Sequence, residues 1–322
     1  MDASTKTRRL RTRAAGAIVC AAGMAVALAP AAEAAAPSAN TGTAHDVSFG
    51  SATLRGSVNP NGQSTFYYFQ YGVTKAYGSQ TTPATAGAGT ATVNVSVPVS
   101  GLQPVTEYHF RLVAVNSSGM LDHGPDRTFV TKPIPLSLAI LAAPSPVPYG
   151  GTVVVQGTLS GTGNAGRVVS LQADPFGSPL GFQPFGNSQL TSATGGFSFP
   201  VLGLTATTSF RVVSSTKPVV VSPVTTAQVA VIVSAHIGRS GRRHDVRFFG
   251  TVTPAENGAQ VGILREVRGR GIPVGGATLS ADGATKSRFS RSVPARPGLY
   301  RVLVVVPAGP VISAYGQPLV IR

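Results

Sequence analysis

Three short segments carry the residue types from which chemistry is usually built. Asp122-His123-Gly124-Pro125-Asp126 sets two carboxylates around an imidazole. Such a group can hold a divalent cation or move a proton. A hard cation wants more oxygen donors than this segment offers, so the expected state is a solvated turn between two strands, with Asp126 beside Arg127. His244-Asp245 has no serine partner in its own segment. Gly161-Thr162-Gly163-Asn164-Ala165-Gly166 fits the glycine spacing that cradles phosphates, but that use needs a helix N-terminus next. Arg167-Val168-Val169-Ser170-Leu171 follows instead and reads as a strand, so the glycines are expected to form a turn. No P-loop, H-E-x-x-H or G-x-S-x-G pattern occurs. The residues imply no catalytic group, no cofactor and no metal.

Charge points toward binding. The 322 residues carry 26 Lys and Arg against 11 Asp and Glu, a net +15. Charged residues are only 11% of the chain, against about 25% in an average domain. Residues 37–132 are net +1, residues 133–232 net +2, and residues 233–322 net +9. Arginines in the last segment fall in two groups, Arg239, Arg242 and Arg243, then Arg265, Arg268 and Arg270, followed by Arg288, Arg291 and Arg296. The guanidinium fork matches carboxylate and phosphate. Single-stranded nucleic acid usually needs aromatic platforms between basic residues, and these groups lack them. Anionic cell-wall polymers, polysaccharide or another surface protein are the expected partners, with no nucleic acid.

The elements that must position these residues begin after an address. Lys6, Arg8, Arg9, Arg11 and Arg13 precede an apolar run from Ala14 to Ala29, then Ala32-Glu33-Ala34. That order predicts a secretory signal peptide over 1–34, and with it a secreted, extracellular or cell-surface-associated protein with no transmembrane segment after its removal. The one cysteine, Cys20, leaves with it, so disulfides are not expected in the mature chain. Of the 26 basic residues 21 are Arg, a skew that points to a G+C-rich bacterial source.

From residue 45 onward, short β-branched and aromatic runs alternate with Gly, Pro, Asn and Ser, which predicts strands and turns. A pattern repeats. Gly56-Ser57-Val58, Gly157-Thr158-Leu159 and Gly250-Thr251-Val252 each lead to a turn. Phe110-Arg111-Leu112-Val113 recurs as Phe210-Arg211-Val212-Val213 and Tyr300-Arg301-Val302-Leu303. The expected architecture is all-β, three tandem immunoglobulin or fibronectin type III-like β-sandwiches after a signal peptide. The expected bounds are a flexible 35–44, then sandwiches over 45–132, 133–232 and 233–322. Gln228 to Ile237 reads as one strand-like run and predicts a stiff second junction, with bending at the Pro-bearing 131–135.

Leu102-x-Pro104-x-Thr106-x-Tyr108, with Phe110 and Asn116, resembles the tyrosine corner and F strand of fibronectin type III domains. Thr65 to Gly72 resembles strand C of that family and Arg127 to Thr131 its strand G, with Leu54 and Val58 in place of the usual core Trp. Residues 136–232 resemble bacterial Ig-like repeats through Pro148-Tyr149-Gly150-Gly151-Thr152 and Thr194 to Phe199. The first resemblance implies that Tyr67, Phe69 and Tyr71 face the core. Phe66, Tyr68, His109 and Arg111 then face out as an aromatic and basic patch, weighed against contact with a neighbouring domain or plain sheet surface. The reading that follows is a non-catalytic secreted spacer or adhesin-like module whose basic C-terminal domain contacts anionic surface polymers. A carbohydrate-binding accessory protein of extracellular polysaccharide turnover is the alternative. An enzyme at Asp122, His123 and Asp126 is the second.

Overall fold

The computed structural model describes residues 35–322. The expected signal peptide lies outside the described residues. Among them the chain is strand and turn, with no helix. The sheets fall into three consecutive sets along the sequence.

In the first set, β1 (Ser38–Thr41), β2 (Ser51–Asn59) and β4 (Val93–Ser100) form one sheet. β3 (Thr65–Gly72), β5 (Glu107–Asn116) and β6 (Leu121–His123) form the other, with β7 (Arg127–Val130) also on β5. The second set pairs β8 (Ser137–Ala143), β9 (Gly151–Ser160) and β11 (Gly196–Leu204) in one sheet. β10 (Val168–Pro175), β12 (Thr208–Ser214) and β13 (Thr225–Ala227) lie in the other. The third set repeats the plan. β14 (Ile232–Arg239), β15 (Asp245–Thr253) and β18 (Ser287–Pro294) share a sheet. β16 (Gln260–Val267), β17 (Arg270–Thr278), β19 (Gly298–Val305) and β20 (Leu319–Ile321) share its companion. By compactness the chain divides into two units, one of residues up to 43 with 55–97 and 109–127, the other of 44–54, 98–108 and 128–322.

Burial follows the period of two that packed sheets require. On β10, Val169, Leu171 and Ala173 are buried while the residues between them are not. β12 buries Phe210 and Val212, and β19 buries Tyr300, Val302 and Val304. Leu54 and Val58 are both fully buried on β2. Of the β3 aromatics only Phe69 is fully buried; Tyr67 and Tyr71, expected in the core, stay partly exposed.

The three repeat glycines have one physical cause. A Cβ on Gly56 would lie 2.7 Å from the Asn40 carbonyl oxygen on β1. At Gly157 it would strike the Ala139 carbonyl on β8, and at Gly250 the Ser234 carbonyl on β14. In each set the first strand closes over the second where only glycine leaves room. The corner tyrosine is in place: the Gln103 backbone N–H donates to the Tyr108 hydroxyl at 2.9 Å, and Tyr108 stacks on Phe129 with ring centres 5.7 Å apart. The third set has a corner of its own. The Tyr300 hydroxyl donates to the Arg296 carbonyl at 2.8 Å and accepts from the Arg296 N–H at 3.1 Å.

Two expectations change. Residues 35–44 are not free of structure, because β1 pairs with β2 from Ser38 opposite Asn59 to Thr41 opposite Gly56. The run from Gln228 to Ile237 is broken, because the backbone changes partner. Residues 225–227 pair with β12, Val229–Ala230 run parallel to Val147–Pro148, and β14 pairs with β15. Gln228 and Val231 are the steps between ladders.

Candidate functional site

Three places bear on function. The first is the outer face of β3 and β5. Their ladder sets Gly72 opposite His109, Gln70 opposite Arg111, Tyr68 opposite Val113 and Phe66 opposite Val115. His109 and Arg111 are therefore neighbours, whereas Phe66, opposite Val115, stands six positions along β5 from His109 and four from Arg111, about 20 Å and about 13 Å at strand rise. Phe66 is half-exposed. His109 Nδ1 lies 2.8 Å from Asp126 Oδ2, and the Tyr77 hydroxyl donates to Asp126 Oδ1 at 3.0 Å. An ionised carboxylate only accepts, so His109 carries a proton on Nδ1 and donates it to Asp126. Arg111 Nε donates to Gln70 Oε1 at 2.8 Å, and its guanidinium lies 4.8 Å from the centre of the Tyr77 ring. Tyr77 holds this place with φ of 65°, a strained value for a bulky residue. Burial works against the Asp126 charge. The hydrogen bonds from His109 and Tyr77, with the His109 and Lys75 charges, outweigh it and hold the carboxyl below its ordinary range. Burial and the bond to Asp126 push the Tyr77 phenol up. Gln70 and Tyr77 were not legible as members: Gln70 looks like any outward polar residue, and Tyr77 lies in a turn.

The second place is the acidic segment, which the fold pulls apart. Leu121–His123 is strand β6, not loop. Asp122 Oδ2 accepts the Ala39 backbone N–H at 2.7 Å, fastening β1. Asp126 turns to His109 and Tyr77 rather than to Arg127. A strand alternates its side chains, so Asp122 and His123 point to opposite faces. The trio does not meet. The glycine segment is a turn as expected: Asn164 donates to the Leu159 carbonyl at 2.9 Å, and β10 follows.

The third place is one end of the third set. β14 ends at Arg239, and the turn to β15 carries Arg242, Arg243 and His244. The β16–β17 hairpin carries Arg265, Arg268 and Arg270. The turn from β18 to β19 carries Arg296. The ladders bring these turns together. Asp245 stands opposite Pro294 at the end of β18, and Arg265 opposite Tyr300 near the start of β19. The Ala295 N–H donates to the His244 carbonyl at 3.3 Å, and Arg265 Nη2 donates to the Pro297 carbonyl at 2.9 Å. Ile321 pairs with Gly298, which brings Arg322 to the same end. Glu266 is engaged elsewhere, 2.6 Å from Arg301 Nε. Among the described residues the ion pairs are this one and His109–Asp126, so these end arginines have no carboxylate partner. The sequence marked two arginine groups but not that they meet; Arg322 gave no signal at all.

The repeated Phe/Tyr-Arg pair also has a structural use. Arg211 Nε donates to Gln172 Oε1 at 2.7 Å, as Arg111 does to Gln70 and as Arg301 pairs with Glu266. In all three sets this arginine ties the two central strands of one sheet across its outer face.

No protein-family model matches the chain, and no curated protein matches it. Among solved structures it is similar to a marsupial T cell receptor, with 10% identity and a TM-score of 0.31, over 88% of this chain and 99% of that one. It is likewise similar to the chicken CNTN1 FN1-FN3 domains, with 14% identity and a TM-score of 0.29, over 89% and 100%. The β-sandwich fold of this chain rests on its own ladders and alternating burial.

Proposed function

We propose that this chain is a non-catalytic, exported binding and spacer protein of three sandwich domains, divided near residues 132 and 232, whose last domain holds an anionic surface polymer. The convergence of eight arginines from four separate segments on one end of the third set carries the reading: Arg239, Arg242, Arg243, Arg265, Arg268, Arg270, Arg296 and Arg322. Seven of these are exposed and Arg265 is fixed by the Pro297 carbonyl. A patch of this density attracts a chain of negative charges through long-range attraction and release of its counterions.

Titration with dextran sulfate at rising salt tests this. Affinity falls steeply with salt, and replacing Arg242 and Arg243, or Arg268 and Arg270, with Ala weakens binding by roughly tenfold at low salt. Binding that ignores salt, or survives both double substitutions unchanged, speaks against the reading.

A further inference from the structure

The outer face of β14, β15 and β18 carries a groove of about 620 Å³ apart from the arginine-bearing turns. Its floor follows from register. His236, Phe249 and Ser290 form one cross-strand row, and Ser234, Thr251 and Arg288 form the next. Gly238 stands opposite Arg247 in the third. All point away from the core, because Phe248 and Val252 on β15 and Phe289 on β18 point into it. Glycine at 238 keeps the floor open: a Cβ there would lie 3.2 Å from the Phe249 ring edge.

The polar groups of the groove are arranged in advance. The Arg247 guanidinium lies 4.8 Å from the Phe249 ring centre, and its Nε donates to Ser290 Oγ at 3.0 Å. Stacking plus one hydrogen bond fixes the plane of the fork and leaves its two terminal nitrogens as donors. Arg288 stands two residues from Ser290 on the same strand face, exposed. The His236 ring also lies against Phe249, ring centres 5.7 Å apart, with Nε2 3.2 Å from Ser234 Oγ. Thr251 and Ser280 add hydroxyls, and Asp282 stands at the rim.

We propose that this groove binds an acidic saccharide, its carboxylate taken by the Arg247 fork with Arg288 beside it and its hydroxyls by Ser234, Thr251, His236 and Asp282. Two guanidiniums ask for negative charge. The neutral hydroxyls and the Asp282 carboxylate, spread along the groove, ask for a ligand that also carries several hydroxyls beyond its charged group, which a bare phosphate does not. A sugar acid offers both on one ring. The site is a sheet face, separate from the turns that carry the polymer reading, and it stands or falls without it.

Calorimetric titration of the full chain with trigalacturonate tests the proposal, against a neutral trisaccharide of equal length and inorganic phosphate. One trigalacturonate binds per chain, and the neutral sugar and phosphate bind at least about tenfold more weakly. Arg247→Ala and Arg288→Ala each weaken trigalacturonate by at least about tenfold, and Arg247→Lys weakens it although the charge is kept. Both positions are exposed, and an unchanged circular dichroism spectrum certifies the fold. Equal binding of the neutral sugar or of phosphate overturns the proposal, as does full affinity in the folded Arg247→Ala protein. Loss of trigalacturonate only when Arg242, Arg243, Arg268 and Arg270 are replaced removes the groove and leaves the polymer reading intact. Failure of the dextran sulfate test with trigalacturonate still bound does the reverse.

Discussion

Asp126 shows how much a single residue can depend on fold. Its sequence neighbours offered His123 and Arg127, yet its partners are His109 and Tyr77, 17 and 49 positions away. Strand alternation was enough to turn His109 and Arg111 outward, but not to find what they touch. Partners across strands depend on register, and register is set by turns and by the core rather than by the residues themselves. The contact has a consequence in acid. The folded pKa of Asp126 lies below its unfolded value, so the group adds stability at pH above the ordinary carboxylate value of about 3.9. That increment is lost as pH falls through the lowered folded pKa. Asp126→Asn therefore lowers the urea midpoint at pH 6, and the gap to the parent narrows steadily toward pH 3. A gap of constant size across that range would mean that the carboxylate charge contributes nothing.

At the scale of the strand, composition and periodicity were legible because short strands with one buried face write themselves as alternation. The repeat was visible as letters, and the glycine in it turns out to be a steric demand. Gly157 shows this most sharply, since a Cβ there meets the Ala139 carbonyl and also Phe197 Cζ at 2.7 Å. Phe197 is itself buried and cannot move aside freely. Gly157→Ala is expected to cost about 1–3 kcal/mol, as overpacking does elsewhere. Gly241→Ala, with no atom within 4 Å of the new carbon, is expected to stay within about 0.5 kcal/mol of the parent. Chemical denaturation of the two variants side by side reads the difference. Equal stabilities would show that β8 relaxes away from β9 at little cost. What the letters did not show was the break after residue 227, because Val, Ala and Ile favour strands equally whichever ladder they join.

Over the whole chain, the least legible property was which distant segments share a place, since arginines at 239, 268, 296 and 322 meet only through three ladders and a closing strand. The same holds for the junction of the second and third sets. The Val231 N–H donates to the Ile312 carbonyl at 3.1 Å, the Ile312 N–H to Val229 at 2.7 Å, and the Thr207 N–H to Pro310 at 2.6 Å. One buried cluster continues from Leu138 through Val229, Val231 and Val233 to Val311. Val231 is 2% exposed and lies between the two ladders, so it belongs to both cores. Truncating it to Ala removes apolar contact from each, a loss on the order of 2 kcal/mol. If the two sets open as one cooperative body, hydrogen exchange speeds up alike in β12 and in β15, although each strand lies in a different set. If exchange rises on one side only, the sets unfold independently and the valine belongs to that side alone. Tyr71→Phe, a change on β3 far from this junction in sequence, leaves both strands unaffected and controls for general loss of stability.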